Sequence, residues 1–534
     1  MKINFNNISE QLAAYNADGS ALVNVERDRR YTFSEFHLLT NRIVNMMTDR
    51  FGMEKGDFFF AVLNNDNLSL VHLPTIFKGP ATAVYSNYRD SIAEKRRQIE
   101  HVGHCRIAFV ETGDLEAHRE IFAGRVDTVI CMDKPEDPAD RADDVLYFWD
   151  LVEEASDRTP QYTHEDREDV LLIRFTGGTT GDAKAVPYTY DNWLAMTDAA
   201  YALEDADWTR ETITLHTAPL SHGSCSLLLP TYLSGGTTVT LNDTDLVRFC
   251  EVVQAERVTA AMAVPTMLYR LLQVPDLENY DLGSLRHIYY GAAPINPDKI
   301  PALVSQFGSI FTQVYGASET FAFALELPAA DHRADSEAAR RRLSSSGHAA
   351  TNCEVELRDD DGRPVAPGEI GELWMRARGT VSGYFKNAVR TAGEFEDGFW
   401  RSGDLARMDE DGYYHIVDRK KDVIISGGFN VYPNDVEAAI ASFPGVVMSV
   451  AVGIPDEEWG EAVHAEVMLV PGTPPPSVDA LITHVKERIG RYKSPKSVTF
   501  VDMLPISVAG KLMRRTVRAK YRSPQSTITE ETPS

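Results

Sequence analysis

The stretch "DVLLIRFTGGTTGDAK", Asp169 to Lys184, decides the reading of the fold. Its first half is an apolar run of the length of a buried strand. Its second half sets glycines and threonines between that run and one lysine. Glycine lets neighbouring backbone N–H groups converge on an anion, threonine hydroxyls add donors, and Lys184 adds a full charge. The combination suits a polyphosphate. The Walker pattern GxxxxGK[ST] does not fit, because Asp182 and Ala183 separate Gly181 from Lys184. After Thr189, "YDNWLAMTDAAYAL" reads as a helix, so the loop joins a strand to a helix with a few residues of strand between.

Upstream, strand-like and helix-like segments alternate. "FFFAVLN" (Phe58–Asn64) is a short apolar run with a polar stop. "IAEKRRQIEHVG" (Ile92–Gly103) places Ile92, Ile99 and Val102 near one helical face and closes on glycine, and "CRIAFVE" is again a strand. This alternation predicts βαβ units and a largely parallel sheet. From about Ser344 the texture changes: "CEVELRDDDGRPV" alternates Cys353, Val355 and Leu357 with polar residues and turns at Asp-Gly, a hairpin signal, and "GEIGELWMRA" continues the β character. A second shift falls near "VDRKKDVIISGG" (Val417–Gly428). Beyond it lies a small α+β domain of about 110 residues, within the usual size range. The polar tail 523–534 is expected to be disordered.

The chain has 534 residues, 43% hydrophobic, enough for several cores. Its net charge of −26 argues against general nucleic-acid or membrane-surface binding, which calls for a basic face. Its five cysteines form no CxxC pair, so neither a disulfide framework nor a zinc-finger pattern is present and a reducing, cytoplasmic setting fits. The N-terminus has no apolar signal region, and no run approaches the roughly 18 apolar residues of a membrane span. One stretch runs against the overall charge. His484 to Arg522 holds eleven Lys and Arg against two acids, either a solvated helix face or an anion-binding surface.

Further segments bear on chemistry. "YYGAAPI" (Tyr289–Ile295) has small residues that let a flat ring approach the backbone. "VYGASETF" (Val314–Phe321) brings together an aromatic, a hydroxyl and a carboxylate. "WRSGDLARMDEDGYYHIVDRKKDVIISGGFNVYPNDVE" spans Trp400–Glu437, and "LPISVAGKLMRR" (Leu504–Arg515) sets a lysine after a glycine near the C-terminus. In this order and spacing, together with the glycine-threonine loop, the segments resemble the adenylate-forming superfamily: acyl-CoA synthetases, firefly luciferase and nonribosomal peptide synthetase adenylation domains. The resemblance covers about Thr32 to Arg518 and is nearest in pattern to the carboxylate–CoA ligases. It implies an α/β fold: a large N-terminal AMP-binding domain (1–420) of two α/β subdomains plus a distorted β-barrel, and a small mobile α+β C-terminal domain (421–522).

The resemblance also implies roles. Thr176, Gly177, Gly178, Thr179, Thr180, Gly181 and Lys184 would hold the ATP phosphates. Gly291, Ala292 and Ala293 would flank the adenine, with Tyr315 and Gly316 against the ring. Ser318, where the family usually has threonine, would touch the α-phosphate, with Thr320 beside it. Glu319, with Thr176, would hold Mg²⁺, a hard cation that prefers oxygen ligands. Asp404 would accept from the ribose hydroxyls, Arg419 would reach the ribose or phosphates, Lys421 matches the hinge, and Lys511 would bridge the carboxylate substrate and the AMP moiety. The family's usual G-x-P-K-G ending is here Gly181-Asp182-Ala183-Lys184-Ala185, which changes loop stiffness and leaves the donors in place.

"APLSHGSCSLLLPTYLSGGTTV" (Ala218–Val239) corresponds to the segment lining the acyl pocket, with His222 at the gate, a packed histidine being the plainer reading. His222, Gly223, Gly291 and Gly316 would border the acyl group, and small residues at Gly223, Ser224 and Ser226 would leave room for a bulky one. The aspartate that amino-acid-activating domains place near here is missing from "PLSHGSC". Gly427 and Gly428 match the pair that lets the CoA pantetheine arm pass. The expected partners are therefore ATP, Mg²⁺, CoA and a small carboxylic acid of fatty, aryl or arylalkanoic type. A stand-alone enzyme loading a carrier-protein phosphopantetheine and a non-catalytic nucleotide-binding homologue are the rival readings. Oligomeric state, a homo-oligomer included, stays open.

Overall fold

The computed structural model describes residues 4–135, 145–176, 184–242, 245–293, 295–321, 323–505 and 512–521. Gly177, Gly178, Thr179, Thr180, Gly181, Asp182, Lys511 and the tail 523–534 lie outside the described residues. The chain forms two compact units. One comprises 1–356, 374–402 and 409–414; the other comprises 357–373, 403–408 and 415–534.

Two sheets dominate the first unit. The seven-stranded sheet runs Leu146–Tyr147, Val126–Cys131, Cys105–Val110, Phe58–Leu63, Thr82–Asn87, Val170–Thr176, Lys184–Thr189. Neighbours are parallel except the last two, which pair antiparallel from Val170↔Thr189 to Thr176↔Lys184. The glycine-threonine stretch therefore connects the two arms of a hairpin. The nine-stranded sheet has a parallel centre that includes His287–Gly291 beside Phe311–Tyr315, with antiparallel pairs at both margins. Strands buried on both faces explain the continuous apolar runs of the sequence. Leu171, Ile173 and Phe60 are 0% exposed.

Local chemistry sets the element ends. Thr189 caps the helix Tyr190–Tyr201 by accepting from Asn192 N, while the Asn192 side chain returns to Thr189 N. This reciprocal cap turns strand into helix within one residue. Ser91 and Glu94 do the same for the helix Ile92–Val102, which closes on Gly103 at φ 104°. The expected apolar face is half right. Ile99 and Val102 are buried, but Ile92 is exposed, and Lys95 and Gln98 fill that side through bonds to Tyr88 O and Asp90. Ile92 is the first helical residue, at the rim of the sheet, where a side chain has little to pack on.

Strands between residues 353 and 419 form a third sheet, of five strands, in the part of the chain where the resemblance implies a distorted barrel. It is not closed among the described residues. The Asp-Gly turn expected there is formed, with Asp359 N donating to Arg363 O.

In the second unit, Phe429–Val431, Ile424–Ser426, Gly460–Leu469 and Val446–Asp456 form a sheet in that order, and Ser497–Phe500 joins parallel to Gly460–Leu469. The helices Pro433–Ala441 and Val478–Ile489 share one core with it through Val436, Ile440, Leu481 and Val485. Four of the eleven cations of the basic stretch are spent inside this unit. Arg514 meets Glu437 at 2.8 Å and Asp418 at 3.6 Å, Lys520 meets Glu466 at 2.9 Å, Lys493 meets Asp435 at 2.8 Å, and Arg518 pairs with Glu461. A continuous anion-binding surface is thus excluded for these four cations. Arg514→Ala strands the buried Asp418 and half-buried Glu437 carboxylates. Breaking such a pair costs about 3–5 kcal/mol, which urea unfolding of this variant is expected to show.

Candidate functional site

The site in the first unit is built at the carboxyl ends of parallel strands from both sheets, the usual place for ligands in open α/β sheets, where the antiparallel strand Lys184–Thr189 begins. Val170–Thr176 and Lys184–Thr189 contribute from one sheet, and His287–Gly291 and Phe311–Tyr315 from the other.

Lys184 is the centre of charge. Its Nζ lies 2.5 Å from Glu394 Oε2, 3.5 Å from Glu319 Oε1 and 3.0 Å from the Tyr384 hydroxyl, and stands 5.0 Å from the Tyr384 ring centroid. Glu319 is 5% exposed, and its Oε1 accepts from Tyr384 at 2.9 Å. Burial works against ionisation of Glu394. Hydrogen bonds from Lys184, Tyr384 and Arg390 outweigh it and hold its pKa below the usual carboxylate value. Burial, with the charges of Glu319 and Glu394, pushes the Tyr384 phenol well up, so it stays a donor. Trp400 Nε1 donates to the same phenol at 3.2 Å. One lysine thus holds two carboxylates, and only Lys184 and Glu319 were expected from sequence.

Arg174 is the second centre. Nη1 donates to His222 O at 2.9 Å and Cys225 Sγ at 3.1 Å; Nη2 donates to the Tyr188 hydroxyl at 2.6 Å and Ser318 Oγ at 3.3 Å. It is 4% exposed, between the Tyr188 and Phe321 rings at 4.8 and 5.7 Å. Arg174 and Lys184 together tie the two sheets at this end. A charge inside the apolar run "DVLLIRF" was the available signal for Arg174. Tyr384, Arg390, Glu394 and Trp400 gave none, because they lie some 200 residues from Lys184 in sequence.

Other expected residues fall nearby. His222 is half-buried, with Nδ1 3.2 Å from Ser221 Oγ, and Gly223 is exposed at the start of a short helical turn. Ser224 and Ser226 are buried and bonded to His216 Nδ1 and Gly223 O, so they do not widen a pocket. Ala292, Ala293 and Tyr315 reach solvent, as does Gly316. Ala292 has φ 66° and Phe321 φ 40°, both in the left-handed region, where non-glycine residues are strained and cluster at functional sites. Thr320 is fully buried with its hydroxyl on Ala317 O, so it braces the turn that presents Ser318 and Glu319. Gly291 has a packing reason of its own. A Cβ there would stand 2.1 Å from the Val314 carbonyl oxygen of the adjoining strand. Gly291→Ala is expected to lose about 1–3 kcal/mol by overpacking, read as a lower urea midpoint.

Five further candidates lie in the second unit. Asp404 is 8% exposed, and Arg419 Nε approaches its Oδ1 at 3.0 Å. Lys421 is exposed in the turn Lys420–Asp422. Gly427 and Gly428 have φ 58° and 82°, and a Cβ on Gly427 would stand 2.7 Å from the Trp459 ring. Gly427 is therefore bent close against the Trp459 ring, while a Cβ on Gly428 would meet open space.

A divalent cation finds hard oxygen donors in Glu319 and Thr176. Glu319 carries a buried carboxylate whose present cationic neighbour is Lys184, and Thr176 ends its strand directly across from Lys184 in register. The donor set fits Mg²⁺ in company with substrate phosphates. Among the described residues no helix is long and apolar enough to cross a membrane. The five cysteines are free, and four are buried.

Residues 9–385 match the family model of the AMP-binding enzymes, and residues 435–511 match that of the AMP-binding enzyme C-terminal domain. The medium/long-chain-fatty-acid–CoA ligase FadD8 of Mycobacterium tuberculosis is 39% identical over 360 residues, 66% of this chain and 62% of that protein's length. The fatty acid–[acyl-carrier-protein] ligase ScoC of Streptomyces coeruleorubidus is 32% identical over 496 residues, 92% of each chain. Among solved structures, the amide bond synthetase McbA from Marinactinospora thermotolerans superimposes with a TM-score of 0.83 at 27% identity, covering 97% of this chain and 100% of that one.

Proposed function

The chain belongs to the AMP-binding enzyme family, and from that premise we propose that it is an ATP-dependent carboxylate–CoA ligase. The observation that carries the reading is the cluster around Lys184. A strand-end lysine lies 3.5 Å from a buried glutamate, and Ala292, after the strand His287–Gly291, is held in the left-handed region. In the first half-reaction a substrate carboxylate oxygen attacks the α-phosphorus of ATP, the P–O bond to pyrophosphate breaks, and acyl-AMP forms. In the second the CoA thiol attacks the acyl carbon, the C–O bond breaks, and AMP leaves with the oxygen it gained. No enzyme nucleophile is required.

Catalysis of this kind is positioning plus charge stabilisation. Thr176, Thr179, Thr180 and Lys184 hold the β- and γ-phosphates, with backbone N–H groups of Gly177, Gly178 and Gly181. Phosphate oxygens take the place of Glu394 on Lys184. Glu319 and Thr176 hold Mg²⁺, which when bound neutralises phosphate charge. Gly291, Ala292, Ala293, Tyr315 and Gly316 form the adenine and acyl wall, and Asp404 with Arg419 takes the ribose. Ser318 donates to the α-phosphate, and Lys511 neutralises charge between carboxylate and AMP. Lys421 is the hinge of the small domain, and Gly427 and Gly428 pass the pantetheine arm. His222 gates the acyl group, which is fatty, aryl or arylalkanoic.

The test is a screen of carboxylic acids for acid-dependent pyrophosphate release, with the products read by mass spectrometry. Acyl-CoA and AMP are expected. Thioester found only on a phosphopantetheinylated carrier protein selects the rival acceptor. Absence of release with every acid returns the chain to a nucleotide-binding role.

A further inference from the structure

We propose that Glu204, Glu326 and His348 form a second metal site, apart from Glu319 and Thr176, which takes a first-row divalent ion of the Zn²⁺ type and clasps one margin of the nine-stranded sheet. The inference does not depend on the ligase reading. The fold brings the three residues together from distant parts of the chain. The strand Leu325–Leu327 pairs antiparallel with His348–Ala349, and Glu326 stands directly opposite His348 in that register. Glu204 comes from the segment that follows the helix Tyr190–Tyr201. Asp205 fastens that segment, its Oδ2 accepting from Thr312 Oγ1 and from Ala329 N at 2.7 Å each. Glu204 N donates to Glu326 Oε1 at 3.3 Å, and Glu204 Oε1 lies 3.1 Å from His348 Nε2. One ligand atom from each of the three lies within 4.8 Å of the others.

Two observations point to an ion. The first is an orphaned oxygen. Glu326 is 2% exposed, and among the described residues its Oε2 has no hydrogen-bond partner. A buried carboxylate oxygen left without a partner is costly. Burial, with the like charges of Glu204 and Asp205, raises the Glu326 carboxyl above its usual value despite His348. The second is the histidine. Its Nδ1 lies 3.2 Å from Ala349 O, which can only accept, so Nδ1 carries hydrogen. In the neutral ring Nε2 then holds a lone pair, and that lone pair meets the Glu204 carboxylate at 3.1 Å. Two acceptors so close require a cation. A proton on the ring satisfies Glu204 alone. An ion bound to all three residues also meets Glu326 Oε2. A backbone carbonyl on the far ring nitrogen is the usual support of a metal-binding histidine.

The donor set selects the metal class. One imidazole and two carboxylates suit Zn²⁺ and its first-row neighbours, whereas Mg²⁺ prefers oxygen ligands and several waters. Bonds of about 2.0–2.2 Å in a tetrahedron set ligand atoms roughly 3.4 Å apart. The Glu204–His348 pair is already near that spacing. The Glu204 side chain is 55% exposed and can swing to close the rest, and the 31% exposure of His348 leaves a coordination position open to water. The place of the site gives it a role. The strand Leu325–Leu327 also pairs with Phe311–Tyr315, Glu326 opposite Val314. An ion there ties the helix exit at Glu204 to the margin of the sheet and braces the strand that ends at Tyr315.

The experiment titrates the whole chain, without a histidine tag and stripped by a chelator, with ZnCl₂ in excess Mg²⁺, read by calorimetry. One equivalent is expected to bind saturably. His348→Ala and Glu326→Gln are each expected to lower the affinity at least about tenfold. Glu204→Gln changes an exposed side chain, so its fold is not at risk, and the same loss is expected there. Glu319→Gln is expected to keep the Zn²⁺ affinity, which separates the two sites. Zn²⁺ at about a hundredfold excess over Kd is expected to raise the wild-type melting midpoint by about 3 °C and to leave that of Glu204→Gln in place. A wild-type chain without saturable binding overturns the inference. So does an affinity that Glu204→Gln and His348→Ala leave unchanged. Either result leaves the ligase reading intact.

Discussion

Lys511→Ala is expected to slow acyl-adenylate formation by about 10²–10³-fold, the cost of removing one preorganised charge-stabilising donor. Thioester formation from supplied acyl-AMP is expected to change less than about threefold. The asymmetry follows from the chemistry. In the first half-reaction an anionic carboxylate approaches an anionic phosphate, and a cation between them lowers the repulsion and stabilises the charge developing on the bridging oxygen. In the second the leaving AMP is already activated, and the attacking group is a thiol. Single-turnover assays of the two half-reactions measure both quantities in one preparation. Equal losses in both would show that Lys511 acts on the fold or on both steps, and its proposed role in the first half-reaction alone would have no support.

Glu319→Gln carries the second large effect. The carboxylate is 5% exposed, accepts from Tyr384 and faces Lys184. The amide keeps the volume and loses the charge that holds a divalent cation. Exchange activity is expected to fall on the order of 10²-fold, with the Mg²⁺ concentration for half-maximal rate rising steeply. Lys184 keeps Glu394 as its partner at 2.5 Å, so the fold is expected to survive and the melting midpoint to move little. Unchanged Mg²⁺ and ATP dependence in this variant would remove Glu319 from the metal site.

Much of this was legible in the sequence. The strand, loop, strand and helix from Val170 to Tyr201 could be read because each boundary has a local cause: an apolar run, glycines, and a Thr189 cap. The α+β character after residue 420 was legible for the same reason. The order of strands in the two sheets was not, because pairing such as that of Thr82–Asn87 with Val170–Thr176 joins residues far apart in the chain. The basic stretch was left open between a solvated face and an anion-binding surface, and internal pairing was not foreseen, since Arg514 finds Glu437 across 77 positions and Lys520 finds Glu466 across 54. A count of charge along the sequence cannot see those partners. The site divides in the same way. Glu319 and Lys184 were found from motif wording, whereas Tyr384 and Glu394 are recruited from a segment with no chemical signature of its own. Arg174 stood out as a charge in an apolar strand, but its meaning depends on Tyr188, Ser318 and His222, which only the fold brings to it.

The central claim is that the acid is activated by bonding to AMP, and an oxygen-isotope measurement tests it most directly. The active acid from the screen, with both carboxylate oxygens labelled as ¹⁸O, is turned over with ATP, Mg²⁺ and CoA, and the nucleotide products are weighed by mass spectrometry. The account predicts AMP carrying one ¹⁸O per turnover and unlabelled pyrophosphate. Label in inorganic phosphate beside ADP, or AMP without label, would contradict it.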